Sequence, residues 1–169
     1  MTNSRKREVS LHIQHLKDMR MGGRNEKEME ARLENFFGCD FENKAKDRWR
    51  VLDLISDKNK IVIEMKSRRS YYTTYPTTII GKHKYDEALR YMDKGYNAYF
   101  SFRFKNGDMY IYKVPYKLQD DITIEEKKTY KRGREEICNS LCIPIKYLDN
   151  MVYFEDIEDY ENHKKALES

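Results

Sequence analysis

Residues 51–66, Val-Leu-Asp-Leu-Ile-Ser-Asp-Lys-Asn-Lys-Ile-Val-Ile-Glu-Met-Lys, contain two apolar runs separated by a short polar segment. The pattern predicts a β-hairpin with strands over 49–55 and 61–66. Side chains alternate along a strand, so Glu64 and Lys66 point to the same face of the second strand. A strand this apolar is typical of the centre of a sheet, where both faces are covered. Both charged side chains are therefore predicted to be partly enclosed.

Helices are predicted before and after this hairpin, and a second hairpin follows. Residues 26–37 carry apolar side chains at helical spacing, and Gly38 follows as a stop signal. Asn106-Gly107 is a strong turn signal between two further strand-like runs. The other predicted elements are a helix over 82–94, strands over 96–104 and 109–114, and a short helical segment near 134–142. This order of elements predicts a mixed α/β domain around one central sheet.

The chain of 169 residues is expected to form one domain, 1–169, with a core at about 25–115 and a peripheral C-terminal elaboration at 116–169. Its 14 tyrosines and 39% apolar residues argue against a disordered chain. No apolar run approaches the roughly 20 residues that cross a bilayer, and the first residues lack the apolar core of a secretory signal. Three cysteines without a disulfide pattern fit reduced thiols. We therefore expect an intracellular protein, in the cytoplasm or in the nucleus or nucleoid, that is neither secreted nor inserted in a membrane.

Positive charge is concentrated in the middle of the chain. Residues 58–105 contain eleven lysines and arginines against four acidic residues, a local charge of about +7. A surface that binds a polyanion needs such a segment. Lysines that simply solvate exposed faces would give the same composition, so charge alone does not decide between these interpretations.

The predicted hairpin can bring Asp53 beside Glu64, and two such carboxylates repel each other unless a cation lies between them. Paired carboxylates are suitable ligands for Mg²⁺, which takes its remaining oxygens from water and from a phosphate. A metal ion held there would activate a phosphodiester and a water, while Lys66 could orient that water or stabilise developing charge. The alternative is an ordinary ion pair on a half-exposed hairpin. The apolar neighbours of both acids favour the metal site.

Asp53, ten intervening residues, and then Glu64-Met65-Lys66 resemble the core motif of the PD-(D/E)XK nuclease superfamily. That group includes type II restriction endonucleases and archaeal Holliday-junction resolvases. The flanking residues, including a basic residue after the lysine, are also similar. Leu52 stands where the name-giving proline would be.

The resemblance implies a restriction endonuclease-like core, with a central mixed β-sheet flanked by helices. It also implies a Mg²⁺-dependent DNA endonuclease in which Mn²⁺ can replace Mg²⁺. Asp53 and Glu64 would bind the metal and Lys66 would act on the attacking water. The family places a further glutamate on the helix before the hairpin, and Glu26 is preferred for that role over Glu30. All four residues, Glu26 included, are candidate catalytic residues.

Candidate nucleic-acid contacts lie after the motif, where the chain is basic and rich in tyrosine. They are Arg68, Arg69, Tyr72, Lys82 and Lys84. Tyr71, Tyr72 and Tyr75 could stack on bases or simply cover the core, and both interpretations stay open. We expect double-stranded DNA as substrate, cut sequence-specifically or structure-specifically, and a homodimer that presents one site to each strand. The alternatives are an RNA endonuclease and a non-catalytic nucleic-acid-binding module of the same fold.

Overall fold

The computed structural model describes residues 24–44, 51–131 and 133–168, together with Ile13. Residues 24–37 are helical and are called α1. The strands and helices that follow are β1 (Glu42–Asn43), β2 (Leu54–Ser56), β3 (Ile61–Ser67), β4 (Thr77–Gly81), α2 (Lys82–Asp93), β5 (Asn97–Arg103), β6 (Met109–Lys113), β7 (Thr123–Lys131), β8 (Arg134–Pro144), β9 (Asp149–Asn150) and α3 (Ile157–Glu168). Short 3-10 turns at Ile145–Tyr147 and Met151–Tyr153 flank β9. None of the helices in the described ranges is long and apolar enough to span a bilayer.

A six-stranded sheet in the order β1-β2-β3-β5-β6-β9 forms the centre of the molecule. Strands β3 and β5 are parallel, with Ile61 opposite Asn97 and Ser67 opposite Arg103, and the other neighbours are antiparallel. A parallel pair needs a crossover connection, and α2 lies within it. The predicted mixed α/β domain with a central mixed sheet is therefore confirmed.

Helices α1 and α3 cover one face of this sheet. Met29 and Leu33 of α1 are fully buried against Ile63 of β3 and Tyr99 of β5, and Tyr160 of α3 belongs to the same cluster. Spacings of three and four residues place the apolar side chains of α1 on one stripe, which is why the predicted helix forms and docks here.

Helix α2 and a second sheet, ordered β4-β8-β7, cover the opposite face. Val62 and Phe100 of the central sheet pack in one cluster with Ala88 of α2 and with Leu141 and Ile143 of β8. The alternation predicted for the second hairpin strand is thus observed, since Val62 and Ile63 lie in different clusters. Glu64 and Lys66 occupy the face that α2 covers.

Two local predictions differ from the structure. The first hairpin strand is shorter than predicted, since residues 51–53 bend and pairing begins at Leu54, while residues 49 and 50 lie outside the described ranges. The helical prediction near 134–142 is wrong, because β8 pairs with both β4 and β7 over this region. Cross-strand pairing with distant residues outweighs the weak local preference for helix.

The C-terminal segment contributes to the buried core through Tyr160, which is fully buried and donates a hydrogen bond to Asp149 Oδ2 at 3.2 Å. Replacing Tyr160 with alanine is expected to lower the free energy of unfolding by about 3–5 kcal/mol, the usual loss for a large buried aromatic side chain. Urea denaturation would measure it. Tyr153→Ala is the matched control, because Tyr153 is 79% exposed and its loss should change stability by less than about 0.5 kcal/mol. Equal effects of the two substitutions would show that α3 is not docked as described.

Candidate active site

The hairpin formed by β2 and β3 brings Asp53 and Glu64 together. Leu54 pairs with Ile63 across the hairpin, so the next positions outward are Asp53 and Glu64. The Asp53 side chain bends back onto the adjacent strand, where Oδ2 accepts a hydrogen bond from the Met65 backbone amide at 2.9 Å. That bond holds one carboxylate oxygen of Asp53 against β3.

Glu64 is the most deeply buried charged side chain of the site, at 1% exposure. Its Oε1 lies 3.4 Å from Lys66 Nζ and 3.0 Å from Lys84 Nζ. Its Oε2 is also buried and has no hydrogen-bond partner among the described residues. A buried carboxylate oxygen without a partner is costly and calls for an explanation such as a bound ion or water.

The pKa of Glu64 is raised to about 7, mainly by burial and also by the nearby charge of Asp53. The charges of Lys66 and Lys84 act in the opposite direction. Near neutral pH, the carboxyl of Glu64 is therefore balanced between its protonated and ionised forms. A cation placed at the unpartnered oxygen would favour the ionised form.

Lys84 belongs to this cluster, although the sequence suggested a nucleic-acid contact for it. Its ammonium group bonds both to Glu64 and to the Val51 backbone carbonyl, and only 17% of its side chain is exposed. A signal for this position was present in the sequence. Lys84 lies four residues before Ala88, which is fully buried, so the two share the face of α2 that packs on the sheet.

Glu26, near the start of α1, faces the same region. Burial raises its pKa, and the charge of Asp53 raises it further, while the charge of Lys66 lowers it. Asn25 next to it donates a hydrogen bond to Ser67 Oγ at 2.7 Å, which ties α1 to the end of β3. Glu30, the second choice for this role, instead accepts a hydrogen bond from Asn43 at 2.6 Å.

The carboxylates of the site form a small donor set for a metal ion. The described residues contain no group of three or more histidine, cysteine, aspartate or glutamate side chains arranged to hold one. Two carboxylates, Asp53 and Glu64, are nonetheless sufficient protein ligands for Mg²⁺, which keeps several waters and accepts phosphate oxygens. The unpartnered Glu64 Oε2 is the oxygen available to such an ion. The residues present therefore fit Mg²⁺ bound mainly through water and substrate.

The residues predicted to contact nucleic acid occupy different environments. Arg68 points inward, where Nε donates to Thr78 Oγ1 at 3.2 Å and Nη2 donates to the Ile79 carbonyl. Lys82 pairs with Asp86 at 2.9 Å on the first turn of α2. Arg69 is exposed on the segment that follows β3. These side chains do not share the surroundings of Glu64, whereas Lys84 does.

Tyr72 supports the fold. Its ring stacks on Tyr110 with centroids 4.1 Å apart, and its hydroxyl donates to the Ile145 carbonyl at 2.8 Å. Tyr71 and Tyr75 remain 50% and 62% exposed. Tyr72, the one tyrosine named as a candidate nucleic-acid contact, thus packs against the core, while Tyr71 and Tyr75 stay accessible.

The site as a whole combines two adjacent carboxylates, one of them deeply buried, with two lysines at the face of the sheet covered by α2. Such a set can bind a divalent cation, hold a phosphate and assist proton transfer. Comparison of the sequence with protein-family models and with curated proteins finds no match.

Proposed function

We propose that this chain is a Mg²⁺-dependent DNA endonuclease of the PD-(D/E)XK type, with a restriction endonuclease-like core. Asp53 and Glu64 would bind the metal, for which Mn²⁺ substitutes, and Glu26 would complete the site from α1. The observation that carries the proposal is the buried Glu64 with its unpartnered oxygen, next to Asp53 and two lysines. An ordinary ion pair on a hairpin needs neither the second carboxylate nor a buried oxygen without a hydrogen-bond partner.

The order of elements supports the proposal. Apart from the two-residue strand β1, the elements from α1 to β5 run helix, strand, strand, strand, helix and strand, which is the order of that superfamily. Glu64, Met65 and Lys66 lie on β3, and Asp53 immediately precedes β2, the hairpin partner of β3, which supports the proposal. The third strand of this order, β4, pairs with β8 in the second sheet and is not part of the central sheet.

Each residue of the site has a separate role in phosphodiester hydrolysis. When bound, Mg²⁺ would polarise the scissile phosphate and acidify the attacking water. Lys66, whose side chain is 34% exposed, can reach that water and orient it or take its proton. Lys84, held by Glu64 and by the Val51 carbonyl, is a positioning residue that keeps the Glu64 carboxylate ionised and oriented.

The substrate proposed is double-stranded DNA, and a homodimer acting inside the cell would cut both strands through two sites related by symmetry. The basic segment 58–105 supports a polyanionic substrate.

Cleavage of plasmid DNA by the purified full chain tests the function. We expect nicking or linearisation with Mg²⁺ or Mn²⁺, and none in EDTA. Asp53→Asn is the control against a contaminating nuclease, because asparagine keeps an acceptor for the Met65 amide but loses the charge. Its cleavage should fall by at least about a hundredfold, as for the loss of a group that stabilises the transition state.

The alternatives give different results in the same assay. Cleavage of RNA but not DNA would indicate the RNA endonuclease. DNA binding without cleavage under any metal condition would indicate the non-catalytic module and would contradict the proposal.

A further inference from the structure

A cavity of about 370 Å³ opens beside the segment that follows β3. Its walls are largely apolar and include Ile79, Phe104 and Ile145. Ligand pockets in proteins span about 300–1,000 Å³, so this cavity suits a single small group and not a length of duplex. Within the described part of the chain, no acidic side chain lines it.

Arg68 and Lys127 are the positively charged residues that line the cavity, and Lys127 is paired with Glu125 at 2.9 Å. The guanidinium group of Arg68 is largely enclosed, lies 5.8 Å from the centre of the Phe102 ring and donates to neutral oxygens of Thr78 and Ile79. No carboxylate among the described residues pairs with it, and burial lowers its pKa. An enclosed cation without a counter-ion is unfavourable until an anion arrives. The cavity is therefore suited to a ligand that carries negative charge.

Two exposed aromatic rings stand at the same cavity. Tyr71 and Tyr75 line it and keep 50% and 62% of their surface accessible. Lys105 places its ammonium group 5.4 Å from the centre of the Tyr71 ring, on the outer side of the same segment. Aromatic rings beside cations are the usual means by which proteins hold unpaired bases, because every base has a π-face to stack on.

The position of the cavity connects it to the candidate active site. Lys66 and Arg68 are separated by one residue at the end of β3, about 7 Å along the strand. At its other end, the segment that lines the cavity continues through β4 to Lys84 of α2. Both lysines that contact Glu64 therefore flank the chain segment that forms the cavity.

We propose that this cavity receives the base of an unpaired nucleotide, with Tyr71 and Tyr75 against the base and Arg68 near its phosphate. This inference rests on the proposed nuclease function and narrows its substrate to DNA with unpaired nucleotides close to the cut. A base stacked within a duplex cannot enter a concave pocket, whereas a single-stranded or extruded base can. Among the open interpretations of the tyrosine-rich segment, base stacking is thus assigned to Tyr71 and Tyr75 only.

Equilibrium binding in EDTA tests the cavity without requiring cleavage. The probes are a fluorescent blunt duplex and the same duplex with a short single-stranded gap, and fluorescence anisotropy measures both dissociation constants. We expect the unchanged protein to bind the gapped probe about tenfold more tightly, as one base-stacking contact provides. The double variant Tyr71→Ala, Tyr75→Ala should lose that preference and bind the blunt duplex as before.

Two matched variants separate stacking from general effects on the surface. Tyr71→Phe with Tyr75→Phe keeps both rings and should keep the preference. Tyr153→Ala removes a tyrosine outside the cavity that is more exposed than either, and the variant should also keep the preference. The proposal is overturned if the unchanged protein has no preference, or if the double alanine variant retains it or weakens both probes equally. Absence of cleavage would contradict only the nuclease function, since the preference is measured without metal.

Discussion

Lys66→Ala should reduce the rate of DNA cleavage by about 10²–10⁴-fold, the contribution typical of a general acid or base, while DNA binding changes little. The Lys66 ammonium group lies 3.4 Å from Glu64 Oε1, on the face of β3 where the scissile phosphate would lie. Single-turnover cleavage and anisotropy in EDTA measure the two quantities separately. Unreduced cleavage by the variant would show that the active site is assigned wrongly.

Two further conditions separate the roles of Lys66. Its charge lowers the pKa of Glu64, so its removal also makes that carboxyl harder to ionise. An assay at about pH 8.5 with saturating Mg²⁺ reduces this indirect effect, since that pH lies above the pKa of about 7 for Glu64 and a bound cation favours the ionised carboxylate. Arginine at this position keeps the positive charge but stays protonated, so it cannot act as a base. The Lys66→Arg variant should be more active than Lys66→Ala if Lys66 only stabilises charge. It should be as inactive as Lys66→Ala if Lys66 takes the proton of the attacking water.

Lys94→Ala is the matched control for these substitutions. Lys94 follows the C-terminal end of α2, and its ammonium group lies 5.6 Å from the centre of the Tyr91 ring. Its loss should leave cleavage within about twofold, because surface substitutions away from a site usually have small effects.

Glu64→Gln should abolish cleavage and at the same time stabilise the metal-free protein at alkaline pH. The folded-state pKa of Glu64 is raised to about 7 from an ordinary value of 4.5. Between these two values the folded protein binds more protons than the unfolded chain. Its free energy of unfolding therefore falls as pH rises from about 4.5 to about 7, and then levels off. Glutamine has no such proton, so the advantage of the variant should grow through this window to about 2–3 kcal/mol above pH 7.

Thermal unfolding in EDTA at pH 5 and pH 8 measures this effect. The difference in Tm between Glu64→Gln and the unchanged protein should be small at pH 5 and reach roughly 5–10 °C at pH 8. Glu126→Gln, at an exposed position of β7, should show no such dependence on pH. A pH-independent difference for Glu64→Gln would contradict the raised pKa. A group that destabilises the free protein but is needed for activity is typical of a functional site.

Much of the fold could be predicted from the sequence because it depends on local patterns. The apolar stripe of residues 26–37 predicts α1, and the two runs around a polar turn predict the hairpin of β2 and β3. The alternation along β3 placed Glu64 and Lys66 on one face, as observed. These features depend on neighbours within a few residues, so a single sequence contains the information that specifies them.

The pairing of β8 with its neighbouring strands could not be predicted from local sequence patterns. Its residues 134–142 suggested a short helix, but the strand is held by β4 on one side and β7 on the other. The pairing with β4 joins residues about sixty positions apart, such as Ile80 and Leu141. Only the packing of the whole molecule determines such pairs.

Part of the candidate site could likewise be predicted from the sequence, and the rest depends on the tertiary structure. By itself, the sequence determined that Asp53, Glu64 and Lys66 lie together, because strand periodicity and one short turn decide their positions. Only the tertiary structure decided that Lys84 contacts Glu64 and that Glu64 is buried with one oxygen unpartnered among the described residues. It also decided that Tyr72 supports the core while Tyr71 and Tyr75 remain accessible. Each of these depends on how α2 and the second sheet pack over the central sheet. The burial that results raises the pKa of Glu64, and no local sequence pattern specifies that burial.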